Sequence, residues 1–166
     1  MEKQIIFIVF LVGLFFSSDA QNIVATKQFE IVELPNYYKA NGILFKEHYR
    51  IGIDIKDNRE RYTPSIEDIE KAEEVFINKY KQLQHANIDD KISFCCWVRQ
   101  YVGFIDSKGR KNVILQLINN KKPGKINRLL GKGWETNFVL MLSDNFYAVS
   151  ARYRVNIDTG EMTTGI

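Results

Sequence analysis

Histidine and cysteine are scarce in this chain, with two of each in 166 residues. A metal centre of the usual histidine-rich kind therefore has few ligands to draw on. His48 falls on the outward side of a candidate strand, where a solvated imidazole is a sufficient role. His85 falls at a helix exit, where it complements the negative end of the helix dipole. The cysteines, Cys95 and Cys96, are neighbours. Adjacent Cα atoms lie about 3.8 Å apart, whereas an ordinary disulfide needs more than about 4.4 Å. The pair makes no good internal bridge. Cys96 reads as a small core residue and Cys95 as an outward thiol, either free or bridged to another chain.

Catalytic signatures are missing as well. There is no G-x-S-x-G elbow, no phosphate-cradling glycine loop and no H-E-x-x-H helix. A Cys–His nucleophile pair would need Cys95 beside an imidazole, with Arg99, two positions along on the same strand face, as the activating charge. Asp89-Asp90 needs no more explanation than a polar loop between helix and strand. The expectation is a protein with no enzymatic set, no metal and no cofactor.

Acid is absent over one long stretch. Between Asp106 and Glu135 there is none, while Lys108, Arg110, Lys111, Lys121, Lys122, Lys125, Arg128 and Lys132 supply eight positive charges. The net charge of residues 21–166 is only +4, so the remainder is acidic overall. Such polarity orients a molecule toward an anionic surface or partner. A net charge this small, together with export, argues against nucleic acid.

The first twenty residues read as an address. Lys3 supplies a charged start, residues 5–16 are an unbroken apolar run, and Ser18-Asp19-Ala20 places small residues where signal peptidase reads. A run of 12 is short against the roughly 20 residues of a membrane-spanning helix. The expectation is a cleaved signal peptide over 1–20, no stable membrane insertion afterwards, and a single exported domain, periplasmic or secreted, over 21–166. Retention of the leader as an anchor is the alternative.

The order of elements follows from periodicity. Residues 28–34 form a strand candidate, and residues 42–55 alternate as one half-buried strand. Residues 57–61 read as a polar connection. Thr63 caps a helix that starts at Pro64 and runs to about Gln84. Early acids and later lysines complement its dipole, and Ile66, Ile69, Ala72, Phe76, Tyr80 and Leu83 form one apolar stripe. Strand candidates follow at 92–105, 112–118, 136–142 and 147–157, with a tight turn at Ser107-Lys108-Gly109. A long basic loop spans 119–136, and Asp158-Thr159-Gly160 turns into a short extension. The class is α+β: one long helix packed on a curved antiparallel sheet of four or more strands.

This order resembles the cystatin-like and NTF2-like α+β folds. The stretches YTPSIEDIEKAEEVF, CWVRQYVGFIDSKG and YRVNIDTGEM are similar to those of small exported bacterial proteins of unassigned function. The resemblance implies the fold and the class of protein, and no activity. If the strands pair as neighbours, Trp97, Arg99, Tyr101, Gln116, Arg152 and Arg154 share a solvent-facing side of the sheet. Arginines among aromatics suit an anionic ligand, a glycan or a protein partner. Lys121, Lys122, Lys125 and Arg128 add a basic loop, with Trp134 in the same segment. The functional expectation is an exported, non-enzymatic binding or accessory protein for an unknown protein or anionic ligand. A cystatin-type protease inhibitor is the alternative. Gln100-Tyr101-Val102-Gly103 partly matches the cystatin Q-x-V-x-G loop, but its glycine comes one position early. Trp134 stands where that resemblance implies a second loop, but after a glycine and without the expected proline. A small exported enzyme comes third.

Overall fold

The computed structural model describes residues 28–38, 41–52, 54–80, 96–140, 144–147 and 149–165. The expected leader over 1–20, His85, Asp89-Asp90 and Cys95 lie outside the described residues. Seven strands form one mixed sheet. In chain order the elements are β1 (Phe29–Val32), β2 (Gly42–Phe45), β3 (Asn58–Tyr62), α1 (Ile66–Lys79), β4 (Trp97–Asp106), β5 (Lys111–Asn119), α2 (Pro123–Leu130), a 3-10 turn (Trp134–Thr136), α3 (Asp144–Tyr147), β6 (Ser150–Asn156) and β7 (Met162–Thr164). The sheet order is β1-β2-β4-β5-β6-β7, with β3 also on β4. The fold is α+β, as expected. The sheet is not purely antiparallel, because β2 runs parallel to β4.

Two strands share one edge of β4 end to end. Residues 42–45 pair with 99–102, and residues 58–62 pair with 103–106 in the opposite sense. The 42–55 alternation is therefore not one strand. It ends at Phe45, turns back where Tyr49 N–H donates to the Lys46 carbonyl (3.0 Å), and leaves the sheet. Carbonyls at that break would be stranded without a ladder partner. Arg61 serves them: its Nε donates to Gly103 O (2.8 Å) and its Nη2 to Lys46 O (3.2 Å) and Phe45 O (3.4 Å). Burial lowers the Arg61 pKa to about 10. β3, read from sequence as a polar connection, is a strand because its backbone pairs while its side chains stay mostly in solvent. Edge strands can be that polar.

Helix α1 begins at Ile66 and is capped by Ser65, not Thr63, so Pro64, expected as its first residue, lies before the cap. Ser65 Oγ accepts from Asp68 N (3.2 Å), and Asp68 Oδ2 accepts from Ser65 N (3.4 Å), a reciprocal capping box. Thr63 is occupied elsewhere, accepting from Glu47 N (3.1 Å). Ile69, Ala72, Phe76 and Tyr80 are buried as the stripe predicts, while Ile66 is exposed. Phe76 stacks obliquely on Tyr153 with ring centroids 5.1 Å apart. Burying side chains of this size contributes roughly 1.5–3 kcal/mol each. The stretch expected to carry the helix to Gln84 lies outside the described residues.

The sheet is covered on both faces. One side holds α1 over Trp97, Tyr101, Val113, Leu115, Leu117, Tyr153 and Val155. The other carries irregular chain: residues 46–52 and 54–57, α2, the 3-10 turn, residues 137–140 and α3 lie over Val98, Val102, Phe104, Ile114 and Ile118. Two expected features change accordingly. The basic loop contains a helix, α2. The expected strand at 136–142 is a 3-10 turn followed by extended chain outside the sheet, and 141–143 lie outside the described residues.

Pro64 meets the sheet at Gly103. A Cβ added there would lie 2.6 Å from the Pro64 ring and 2.6 Å from the Tyr62 carbonyl. Backbone on one side and a proline on the other leave no flexible atom to yield. Gly103→Ala is expected to destabilise the protein by about 1–3 kcal/mol in urea unfolding. An unchanged midpoint would show that the approach of α1 to β4 is looser than described.

Candidate functional site

The arginine–aromatic face expected from sequence is split by the register. Gln100 pairs with Gln116 and Tyr101 with Leu115. Gln116 in turn pairs with Arg152, and Leu115 with Tyr153. Trp97, Arg99 and Tyr101 therefore point toward α1, while Gln116, Arg152 and Arg154 point the opposite way. None of the first three faces solvent: Trp97 is 3 % exposed, Arg99 0 % and Tyr101 0 %. The side of β4 read as outward is the side the helix covers.

On the helix side these residues build a buried polar cluster. The Glu73 Oε1 atom accepts from Tyr101 Oη (2.8 Å) and Arg99 Nε (3.3 Å). The Tyr38 and Tyr101 hydroxyls are 2.8 Å apart. Tyr101 has one proton, given to Glu73, so Tyr38 is the donor between them. Arg99 also donates to the Trp97 carbonyl (2.9 Å) and lies over the Tyr38 ring, 4.5 Å from its centroid. Burial pushes the Glu73 carboxyl up, against the Arg99 charge and the Tyr101 and Arg99 hydrogen bonds. Burial likewise raises Tyr38 to about 12. Both tyrosines stay protonated donors at neutral pH. Glu73 Oε2 and Trp97 Nε1 find no partner among the described residues.

On the other side a second network takes the place of a strand. Gln100 Nε2 donates to Asn137 O (2.9 Å), and Gln100 Oε1 accepts from Val139 N (3.1 Å). Gln116 Nε2 donates to Gln100 Oε1 (2.8 Å) and Val139 O (3.0 Å). Arg152 Nε donates to Gln116 Oε1 (2.6 Å), and its Nη2 to Val139 O (3.0 Å). Side-chain amides here satisfy the backbone of residues 137–139 as a neighbouring strand would. Phe138 adds a backbone N–H to the Tyr49 hydroxyl (3.1 Å). Arg152 is thus a clamp on its own chain.

Arg154 belongs to a third cluster at the far end of the sheet. Asp106 accepts from Lys108 N and Arg110 N, each at 2.9 Å, and from Arg110 Nε at 2.9 Å. Arg154 lies 3.9 Å from the same carboxylate, donates to Asn112 Oδ1 (3.2 Å) and covers the Phe104 ring. Burial raises the Asp106 carboxyl, but the Arg110 and Lys108 contacts outweigh it and bring the pKa to about 2. A cleft of 180 Å³ opens beside this cluster, lined by Asp57, Arg110, Arg154 and Glu161 among others. Charges of both signs line it.

The basic residues behave differently. Pro123 starts α2, and Gly131, at φ 85°, follows its end. Ile126 is buried and Leu130 packs half-buried beside it. Trp134 is 3 % exposed and donates from Nε1 to Asn127 Oδ1 (3.2 Å), pinning the helix from below. Lys121, Lys122, Lys125 and Arg128 are left exposed. None of the four forms an ion pair among the described residues. A cleft of 250 Å³ is lined by Lys125, Arg128, Leu129 and Asn145. Of the ten residues singled out from sequence, these four cations alone form an open cluster. Trp134 is its support, not its surface.

The stretch resembling the cystatin loop, residues 100–104, is the buried middle of β4. With Trp134 also buried, neither proposed inhibitory element stands at a loop tip. His48 is exposed in the 47–49 turn. Among the described residues no three His, Cys, Asp or Glu side chains gather where they could hold a metal ion. Also among them, no helix is long and apolar enough to cross a membrane.

Two stability predictions follow from these clusters. Arg99→Met leaves the Glu73 carboxyl buried without its cation and is expected to cost about 3–5 kcal/mol, whereas Glu73→Leu/Arg99→Met recovers most of that. Urea unfolding of both variants checks this, and a double variant no better than the single one contradicts it. Asp106 ionises more easily folded than unfolded, so its contribution is present above its ordinary pKa of 3.8 and fades as pH falls toward 2. Asp106→Asn should lose about 1.5–3 kcal/mol near neutrality. That deficit should shrink between those pH values; a deficit constant with pH would refute the assignment. No family model, curated protein or solved structure matches the chain.

Proposed function

We propose that this is an exported, non-enzymatic binding or accessory protein that engages an anionic partner through α2 and its flanks. One observation carries the reading. Lys121, Lys122, Lys125 and Arg128 are exposed together, with no acidic residue between positions 106 and 135 to neutralise them. The other arginines of interest, Arg99, Arg152 and Arg154, are spent on Glu73, on residues 116 and 139, and on the Asp106–Asn112 cluster. With those three engaged internally, the four cations at 121–128 are the exposed ones among the basic residues singled out from sequence. Like charges on neighbouring residues repel one another and gain when an anion arrives. The apolar run at 5–16 and the small residues Ser18 and Ala20 support the export reading.

The measurement is retention on a heparin resin, a generic polyanion. The Lys121→Glu/Lys122→Glu/Lys125→Glu/Arg128→Glu variant should elute at clearly lower salt than the wild type. A variant with the same net charge, Lys56→Glu/Arg59→Glu/Lys71→Glu/Lys108→Glu, reverses exposed cations elsewhere and should elute later than the α2 variant. Equal elution of the two would mean that retention follows net charge and not this surface.

A further inference from the structure

We infer that a compact oxyanion of the phosphate class binds in a cleft at the break between β2 and β3, a site separate from α2. The cleft measures 210 Å³, and Arg50, Asp54, Asn58 and Arg61 are among the residues that line it. Register explains how two of them reach it together. Asn58 and Arg61 are three apart, so in a regular strand their side chains would point to opposite sides. The register shift between Asn58 and Glu60 sets Asn58 against Asp106 and Arg61 against Phe104, positions of like parity on β4. A bulge re-aims side chains, and this one brings both donors to one side of the sheet.

Arg61 is the reason an anion gains there. Its side chain is half-buried, and its hydrogen-bond partners are all carbonyls. Among the described residues no carboxylate lies within ion-pair distance of it. Nε and Nη2 are matched by Gly103, Phe45 and Lys46, whereas Nη1 has a long contact to the Tyr49 carbonyl (3.5 Å) and an N–H to spare. A cation withdrawn from water without a counter-charge is the costly case, so an anion gains more here than at a solvated lysine. Asp106, opposite Asn58, does not fill that role, because Arg110 already holds it at 2.9 Å. Arg50 and Asn58 are exposed on the same cleft, and neither side chain makes a hydrogen bond or ion pair among the described residues. Donors on three residues suit an acceptor with several oxygens, which phosphate supplies. Asp54 is the acid on the wall; it is exposed, so water screens its repulsion.

The test is a proton–nitrogen NMR titration of the full chain with sodium phosphate, compared with sodium chloride at equal ionic strength. Phosphate should shift the Arg61 Nε–H and Asn58 side-chain amide signals saturably, and chloride should not. Arg61→Gln would also strand the carbonyls at the strand break, so Arg50 and Asp54 carry the test. Arg50→Gln should weaken phosphate roughly two- to fivefold, and Asp54→Asn should tighten it about twofold. The fourfold α2 variant should bind phosphate as the wild type does in about 0.15 M salt, where screening acts beyond about 8 Å. Glycerol phosphate separates a phosphomonoester from free phosphate. Either one saturating the same signals supports the site, and the tighter of the two names the form it takes. Shifts that never saturate, that chloride reproduces or that Arg50→Gln leaves unchanged overturn the inference. Loss of binding in the α2 variant overturns it as well, by moving the anion to α2.

Discussion

Strand β4 is covered on both faces, and the rest of the structure depends on how its polar side chains are matched inside. Arg99 and Tyr101 on one face, and Gln100 on the other, are wholly buried. A buried charge or amide left unmatched costs several kcal/mol, so each draws partners from a distant part of the chain. Arg99 and Tyr101 draw Glu73 of α1, together with Tyr38. Gln100 draws Gln116 and the backbone of 137–139. Thus one strand fixes where the helix sits, and also where the irregular layer opposite it sits. The Arg61 contacts at the β2–β3 junction complete the same task along its edge.

This matching decides what is left for the outside. Arginines that would have made a sheet-face binding surface are consumed internally. The cations of α2 are not, because that helix rests on Ile126 and Leu130, with the Asn127–Trp134 hydrogen bond holding it to the 3-10 turn. The helix needs nothing from its lysines. They are free to be functional because the packing is complete without them.

Much of the architecture was legible in the sequence where local chemistry is strong. The presence of α1 was signalled by its apolar stripe and early acids, though its cap is Ser65 and not Thr63; the β4–β5 turn was signalled by Ser107-Lys108-Gly109, and the terminal extension by Asp158-Thr159-Gly160. The facing of β4 was not legible, because a strand buried on both sides carries apolar residues at both parities. Val98, Val102 and Phe104 compete with Trp97 and Tyr101, and Arg99 tipped the reading toward solvent. The parallel β2–β4 pairing is a long-range choice that no local pattern encodes. β3 was missed because edge pairing needs no apolar alternation. α2 could have been found: Pro123 at its first turn and Gly131 beyond its end show the same asymmetry that marks helix boundaries generally. Within the candidate site, the four cations were legible as charge, but only the packing separates them from the internal arginines.

The central claim is that the contact surface lies on α2 and not on the sheet. Hydrogen–deuterium exchange with and without a bound polyanion tests it most directly. The account predicts that amides of residues 98–104 and 113–117 are the slowest in the free protein and stay unchanged on binding, while new protection appears over 121–132. Protection appearing instead along β4 or β6, with 121–132 unmoved, would contradict it.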